Sequence, residues 1–515
     1  MILTIAVAIL IPSVFWYFSN YPRNVMSARR TGLPILFSPV SPANPLWLTF
    51  SSTFERQLAK CIPWFFYKTI AMTIYGWQFR YPDPDMVTEV LARSDDFIQM
   101  ELSSRIMAFF GPNMFSSNGD EWRRHRKQVA PALNERIMNT VWKESRFQTQ
   151  KLLKVLVNRS GATTNELIQG IRILVINVIS LTGFGARVPW TKASMENKPS
   201  PGHSLTFIQT LLTIMNRHFV AFLIPTRFLR LTWMPSAIQT IGAAVDEFPR
   251  YAAEIIQDQR EQNDSSDNLI KTLVGNLRSD KTDSLTANEI VGNLFKFSIA
   301  GFDTTANTVA YAIMSLAVDP DLQDWIFEEV VEADTRYPGS EYDECFPMLK
   351  RSVALMYETL RMYTPVLHVT RRIVRPTTIR VKGGAGEIHI PTDMIIYVSP
   401  FLIHIDPNIW PDPLAFRPSR WLDENGQLIR PPKGHFLPWS TGPRICPGMK
   451  MARVEFVSIL RAIVSEWTIE PAGNGGKSLG SATQRLRKLI DESQPKMTLQ
   501  IKDPEQMNLR FQRRV

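Results

Sequence analysis

Apolar positions recur at helical spacing along most of this chain. The strongest run covers residues 286–318. Thr286-Ala287-Asn288-Glu289 forms a capping box at its start, and Pro320 ends the pattern. A helix of that length reaches about 48 Å, enough to cross a whole domain. Near its middle, Ala300-Gly301-Phe302-Asp303-Thr304-Thr305 interrupts an apolar stretch that includes Phe295, Phe297 and Ile299. Glycine and threonine are poor helix formers, and threonine hydroxyls bond to backbone carbonyls. A local opening of the helix is therefore expected there. A second amphipathic helix is expected from Ala452, Phe456, Ile459, Ile463 and Trp467, and a third over Ser352–Met362.

Residues 135–260 read as mostly helical, broken by Glu196-Asn197-Lys198-Pro199-Ser200-Pro201. Within them Phe207–Trp233 is strongly apolar. The turn Pro82-Asp83-Pro84-Asp85 starts a short helix through about Arg93. Extended segments are expected at Val366–Arg372, Glu387–Pro391 and Met394–Ser399. A closing hairpin is expected over 496–513, with strands on either side of Asp503-Pro504-Glu505. The fold class is mainly α with small β-sheets.

The first eighteen residues, MILTIAVAILIPSVFWYF, are nearly all apolar. As a helix they span about 27 Å, close to the hydrocarbon thickness. No small-residue cleavage site follows, and Trp16 and Tyr17 stand where an interfacial belt would be. Residues 1–19 are thus expected to be an N-terminal transmembrane anchor. Arg23, Arg29 and Arg30 then place the bulk of the protein in the cytosol. The prolines at 22, 34, 39, 42 and 45 read as a stiff linker.

Composition narrows the field. An apolar share of 44% in 515 residues supports a sizeable core. Cys61, Cys345 and Cys446 cannot build a disulfide framework. The net charge of +10 fits an anionic membrane or an acidic partner. With no long basic run and no zinc spacing, no nucleic-acid partner is expected.

The chemistry concentrates in Phe436-Leu437-Pro438-Trp439-Ser440-Thr441-Gly442-Pro443-Arg444-Ile445-Cys446-Pro447-Gly448. So many turn formers predict an irregular loop. Cys446 falls at or just before the N-terminus of the following helix, where unpaired N–H groups and the helix dipole favour a charged sulfur. Gly442 and Gly448 leave room for a planar group to approach the backbone. Arg444 is placed to meet a carboxylate. A thiolate, open backbone and a guanidinium together suit a haem with propionates.

In this loop the chain resembles the cytochrome P-450 family of haem-thiolate monooxygenases. The pattern Phe-x-x-Gly-x-Arg-x-Cys-x-Gly is met at Gly442, Arg444, Cys446 and Gly448, with Trp439 in place of the phenylalanine. Three further motifs follow the family order: Trp122-x-x-x-Arg126, Ala300-Gly301-x-Asp303-Thr304-Thr305 and Glu358-x-x-Arg361. The resemblance implies a single large haem domain over 20–515 and haem b with Cys446 as axial thiolate. It implies propionate contacts from Arg444, Trp122, Arg126 and an arginine ending the segment after Pro365. That last is Arg371 or Arg372, and spacing favours Arg372. It also implies proton delivery by Asp303 and Thr304. Glu358 and Arg361 would form a buried structural pair, joined by Arg420 in Phe416-Arg417-Pro418-Ser419-Arg420-Trp421, where the family often has glutamate at the position of Ser419.

The resemblance further implies oxygen insertion into a lipophilic small molecule. The electrons would come from NADPH through a membrane-bound NADPH-cytochrome P-450 reductase, with the anchor in the endoplasmic reticulum. Lys450 and Arg453 are candidates to dock that partner, with Arg444 turned inward. Phe207–Trp233 resembles the family's two lid helices and would touch the membrane surface. The style of the motifs resembles fungal members that tailor terpenoids, alkaloids or polyketides. Two other readings stand beside it: a haem-thiolate isomerase or dehydratase, which uses the same fold without external electrons, and, from a different class, a non-catalytic membrane protein binding haem or sterol.

Overall fold

The computed structural model describes residues 83–157, 160–186, 199–261, 268–277, 284–339, 341–381, 386–392, 394–473, 479–495 and 498–514. The expected anchor and linker lie outside the described residues. In chain order the principal helices are α1 (Pro84–Ala92), α2 (Glu101–Met107), α3 (Gly119–Val129), α4 (Glu135–Leu156), α5 (Leu167–Phe184), α6 (Phe207–Asn216), α7 (Ser236–Glu261), α8 (Ala287–Val318), α9 (Pro320–Arg336), α10 (Lys350–Met362), α11 (Met449–Val464) and α12 (Leu479–Asp491). The strands are short: β1 (Phe97–Ile98), β2 (Ala162–Thr164), β3 (Val369–Ile373), β4 (Thr377–Val381), β5 (Gly386–Ile390), β6 (Ile395–Val398), β7 (Trp467–Pro471), β8 (Gln494–Pro495), β9 (Leu499–Gln500) and β10 (Leu509–Arg513). The mainly helical class with small sheets is what the periodicity predicts.

Contacts divide the chain into two units, each drawn from separated segments. Unit 1 comprises Met1–Ile98, His368–Pro411 and Pro432–Arg444. Its α1 starts where expected, because Asp83 accepts from the backbone of Asp85 and Met86 and Pro84 occupies the first turn. β3 pairs antiparallel with β1 and β6, and β4 with β5. Val90, Leu91, Phe97, Ile373, Val398 and Leu437 pack into one apolar core. The first half of the cysteine loop belongs here. It is pinned by Leu437 N–H donating to His404 Nε2 at 2.9 Å and by Phe436 set edge-on to Trp439.

Unit 2 comprises Gln99–Leu367, Asp412–Pro431 and Ile445–Val515. Its longest helix, α8, opens with the expected capping box, Thr286 and Glu289 bonding reciprocally. It packs on α5, a helix long and apolar enough to cross a membrane by composition, yet buried within the unit. α8 runs unbroken through Gly301 and Thr304, so the expected local opening is absent. The threonine back-bond does form, from Thr304 Oγ1 to Ala300 O at 2.7 Å. Gly301 answers a packing demand instead: a Cβ there would lie 3.1 Å from Ile179 Cδ1 of α5.

Two other expectations are corrected. The hairpin across Asp503-Pro504-Glu505 does not form. β9 pairs with β8, and β10 pairs with β7 and β2, so the two strands serve different sheets. Pro504 instead begins a short 3₁₀ turn. Trp467 lies beyond the helix its spacing suggests, as the first residue of β7. Within Phe207–Trp233, Ile208, Leu211, Ile214 and Leu229 are buried, whereas Phe228 and Trp233 are exposed.

Candidate active site

In unit 2 the chemistry begins at Cys446. Gly448 caps α11, and the N–H groups of Gly448 and Met449 point at the sulfur. Burial pushes the Cys446 thiol up, while those two N–H donors and the charge of Arg126 pull it down. Arg126 reaches this turn from α3, donating from Nη1 to Ile445 O at 2.7 Å. Burial lowers its own pKa and the sulfur opposes that shift. Trp122, one turn earlier on the same face, is buried. A Cβ at Gly448 would stand 3.9 Å from the sulfur, so a side chain there would fill space beside it.

A tie between α3 and α8, unsuspected from the sequence, holds this arrangement. Arg124 donates to Glu289 and to Ser284 O, and Asn293 Nδ2 donates to His125 Nδ1 at 2.9 Å. Burial alone would raise Glu289; hydrogen bonds from Arg124 and Thr286 reverse that and hold its carboxyl at about 2. Glu121, His125 and Glu289 converge as metal ligands would. Arg124 and the helix cap already engage Glu289, so the cluster is a helix–helix tie.

Asp303 and Thr304 sit side by side on α8. Asp303 is buried, and its Oδ2 accepts from Thr498 and from Gln500 Nε2. Arg172 Nη2 of α5 lies 3.6 Å from Oδ1. Arg172 also lines a cavity of 340 Å³ with Gln169, Gln209, Thr213 and Phe302. A polar path thus runs from that cavity through a guanidinium to the carboxylate. Neither Arg172 nor Gln500 carries a recognisable sequence signal, since both arrive from segments far away in the chain.

Glu358 and Arg361 form a fully buried, two-toothed pair at 2.8 and 2.9 Å. Arg420 Nε joins Glu358 Oε1 at 3.1 Å. Trp421 Nε1 and the backbone N–H of Arg417 complete the carboxylate's partners. Arg361 also donates to the carbonyls of Pro413 and Ala415. Lys450 pairs with Glu135 at the surface, and Arg453 lies over the Tyr357 ring.

In unit 1, Gly442 has φ +73°, and a Cβ there would meet Leu91 O at 2.5 Å. Its glycine requirement is thus already set by the end of α1 within the unit. Arg444 and Arg371 are close enough to repel. Burial first, then Arg371, push the Arg444 pKa down to about 10, with Asp95 opposing. Burial alone takes Arg371 to about 10. Arg372, which spacing favours, is only half-buried, and on a strand it points to the opposite face. Burial and proximity to Arg444 favour Arg371.

Within unit 2 the setting of Cys446 fits a haem: the sulfur is held by N–H donors and the space beside it is left open by a glycine.

Comparison with known proteins agrees. The family model described as Cytochrome P450 matches residues 78–488. The chain is 30% identical to the "Phomenoic acid biosynthesis cluster cytochrome P450 monooxygenase" of Leptosphaeria maculans, over 90% of this chain and 91% of that one. It is 30% identical to "Cytochrome P450 monooxygenase 124" of Postia placenta, over 79% of this chain and 78% of that one. Among solved structures, a crystallised cytochrome P450, CYP102L1, superposes with a TM-score of 0.65 at 21% identity, covering 84% of this chain and 91% of the other.

Proposed function

We propose, for a chain that belongs to the cytochrome P450 family, that Cys446 is the axial thiolate of a haem monooxygenase acting on a lipophilic metabolite in fungal secondary metabolism. Members of this family carry haem with thiolate-ligated iron, and a reductase supplies their electrons. A bound haem would supply the chemistry: dioxygen, two electrons and two protons would yield one oxygen atom inserted into substrate and one water.

The observation that carries the assignment is the setting of Cys446. Its sulfur faces the N–H groups of Gly448 and Met449 at the start of α11, with Arg126 nearby. Those dipoles and that charge oppose the burial that raises the thiol's pKa, and they are the groups that would stabilise a sulfur ligated to iron. Trp122 and Arg126 in unit 2, and Arg444 with Arg371 in unit 1, are the residues suited to the propionates.

Thr304 and Asp303 have the proton-handling role. Thr304 Oγ1 keeps its proton on Ala300 O at rest and has only to rotate to donate it elsewhere. Asp303 receives protons by way of the polar cavity lined by Arg172. The Glu358–Arg361–Arg420 fork is structural. Residues 1–19 anchor the chain in the endoplasmic reticulum membrane, and the donor is an NADPH-dependent flavoprotein reductase in the same membrane.

The test is the spectrum of the reduced, carbon-monoxide-bound protein for wild type and Cys446→Ser. Wild type should show the thiolate-ligated form and the variant should lose it together with oxygen- and NADPH-dependent turnover. An unchanged spectrum in the variant removes Cys446 as the ligand. Turnover without oxygen or reductant would mean an isomerase or dehydratase instead.

A further inference from the structure

Lys296 stands half-buried in α8. It touches Met107 Sδ and lies over the Phe115 ring, 5.3 Å from the centroid. Neither neighbour carries charge. Among the described residues no carboxylate pairs with it, and burial alone brings its pKa down to about 8. A methionine would fill the same volume without the cost of desolvating a cation. Packing therefore gives no reason for a lysine here.

The apolar surroundings are held in place. The segment between α2 and α3 is clamped onto α8 at two points. A Cβ at Gly292 would meet Gly111 O at 2.4 Å, so backbone lies directly on the helix there. At the next residue of α8, Met114 N–H donates to Asn293 Oδ1 at 3.0 Å. Phe110 packs edge-on against Phe295 at 4.4 Å between centroids. The segment that carries Phe115 is thus fixed onto α8 beside Lys296.

Lys296 also has a defined relation to the proposed chemistry. Lys296, Ala300 and Thr304 follow at intervals of four and so run along one ridge of α8. Lys296 precedes Thr304 by about 12 Å along the helix axis.

We propose that Lys296 is the anchor for the anionic end of the substrate, an elongated apolar molecule that ends in a carboxylate. The acid group pairs with Nζ between Met107 and Phe115, and the apolar body runs along α8 toward Thr304. Oxidation then falls remote from the acid group. This rests on the reading of Thr304 as part of a monooxygenase site.

The test uses the full-length haem protein and three pairs of probes: decanoate, dodecanoate and hexadecanoate, each with its alcohol. Binding is measured by equilibrium dialysis and needs no turnover. Wild type should bind at least one acid about tenfold or more tightly than its alcohol, the scale of one charge-assisted hydrogen bond. That preference should fade as the pH rises above about 8, where the ammonium loses its proton. Lys296→Met and Lys296→Gln should both lose the preference, each with the spectrum and melting behaviour of a folded haem protein. No preference in wild type for any pair, or a preference kept in both variants, overturns the proposal. The carbon-monoxide spectrum of Cys446→Ser tests the monooxygenase reading separately, so one can fail without the other.

Discussion

Unit 2 takes two cations out of water in opposite ways. Arg361 is fully enclosed, and its guanidinium is answered by Glu358 and by the carbonyls of Pro413 and Ala415. Lys296 is half-buried against a thioether and a phenyl ring, and among the described residues no anion answers it. Desolvation penalises both. For Arg361 the penalty is offset within the fold, so the pair fixes geometry and has no capacity left for a ligand. For Lys296 the penalty persists until something outside the chain brings a negative charge. Compensated buried charge marks structure; uncompensated buried charge marks a place where a ligand changes the energy.

The largest expected effect comes from breaking the compensated case. Glu358→Gln leaves Arg361 and Arg420 without their carboxylate, so stability should fall by about 3–5 kcal/mol. Chemical denaturation measures this, and a loss below about 1 kcal/mol would mean the fork is not a structural unit. The second compensated site, Glu289, gives a pH signature. Its carboxyl is held at about 2 against an ordinary 4.5. A depressed pKa adds stability that is complete above 4.5 and is lost as pH falls toward 2. The contribution is about 3 kcal/mol at neutral pH. Arg124→Gln should flatten the acid limb of the stability curve, and an unaltered limb would show that the tie contributes nothing.

The uncompensated site should behave in the opposite sense. Lys296→Met removes a cation whose desolvation penalty is complete below about 8, so without ligand the protein should gain up to about 3 kcal/mol near neutral pH. A destabilised variant would show that the ammonium is satisfied after all.

Asp303 is the middle case, paired with Arg172, which itself lines a cavity. Thr304→Ala should keep haem and NADPH consumption while product per NADPH drops several-fold and hydrogen peroxide rises. Asp303→Asn should slow the whole cycle. Haem loss with coupling unchanged would reduce both residues to helix stabilisers. The smallest effect separates two neighbours on β3: Arg371→Gln should lower haem retained per chain more than Arg372→Gln. The reverse order would return the role to Arg372, which the spacing from Pro365 favours.

Much of the fold is legible in the amino-acid sequence. The ends of α8 follow from a capping box and a proline, and α1 from Asp83 and Pro84. Both signals are local. The partners of Glu358 are partly legible, because Arg361 lies one turn away and Arg420 lies in a readable motif. Trp421 and the Arg417 backbone are not, since only the folded segment brings their N–H groups to the carboxylate. The hairpin expected across Asp503-Pro504-Glu505 fails because a turn between two strand-like stretches says nothing about which other strands compete for each. Gly301 and Gly442 stand in motifs that suggest functional glycines, but their demands come from Ile179 and Leu91, neighbours that no local pattern encodes.

The sequence by itself determined the helical class, the cysteine at a helix start and the motifs that tie this chain to its family. Those depend on spacings within a turn or a loop. Only the tertiary structure decided which charges are answered. It gave Asp303 to Arg172 and Gln500, set Arg371 beside Arg444, and left Lys296 facing sulfur and an aromatic ring. A charge's energy depends on what surrounds it, and in a folded chain those surroundings come from residues hundreds of positions away.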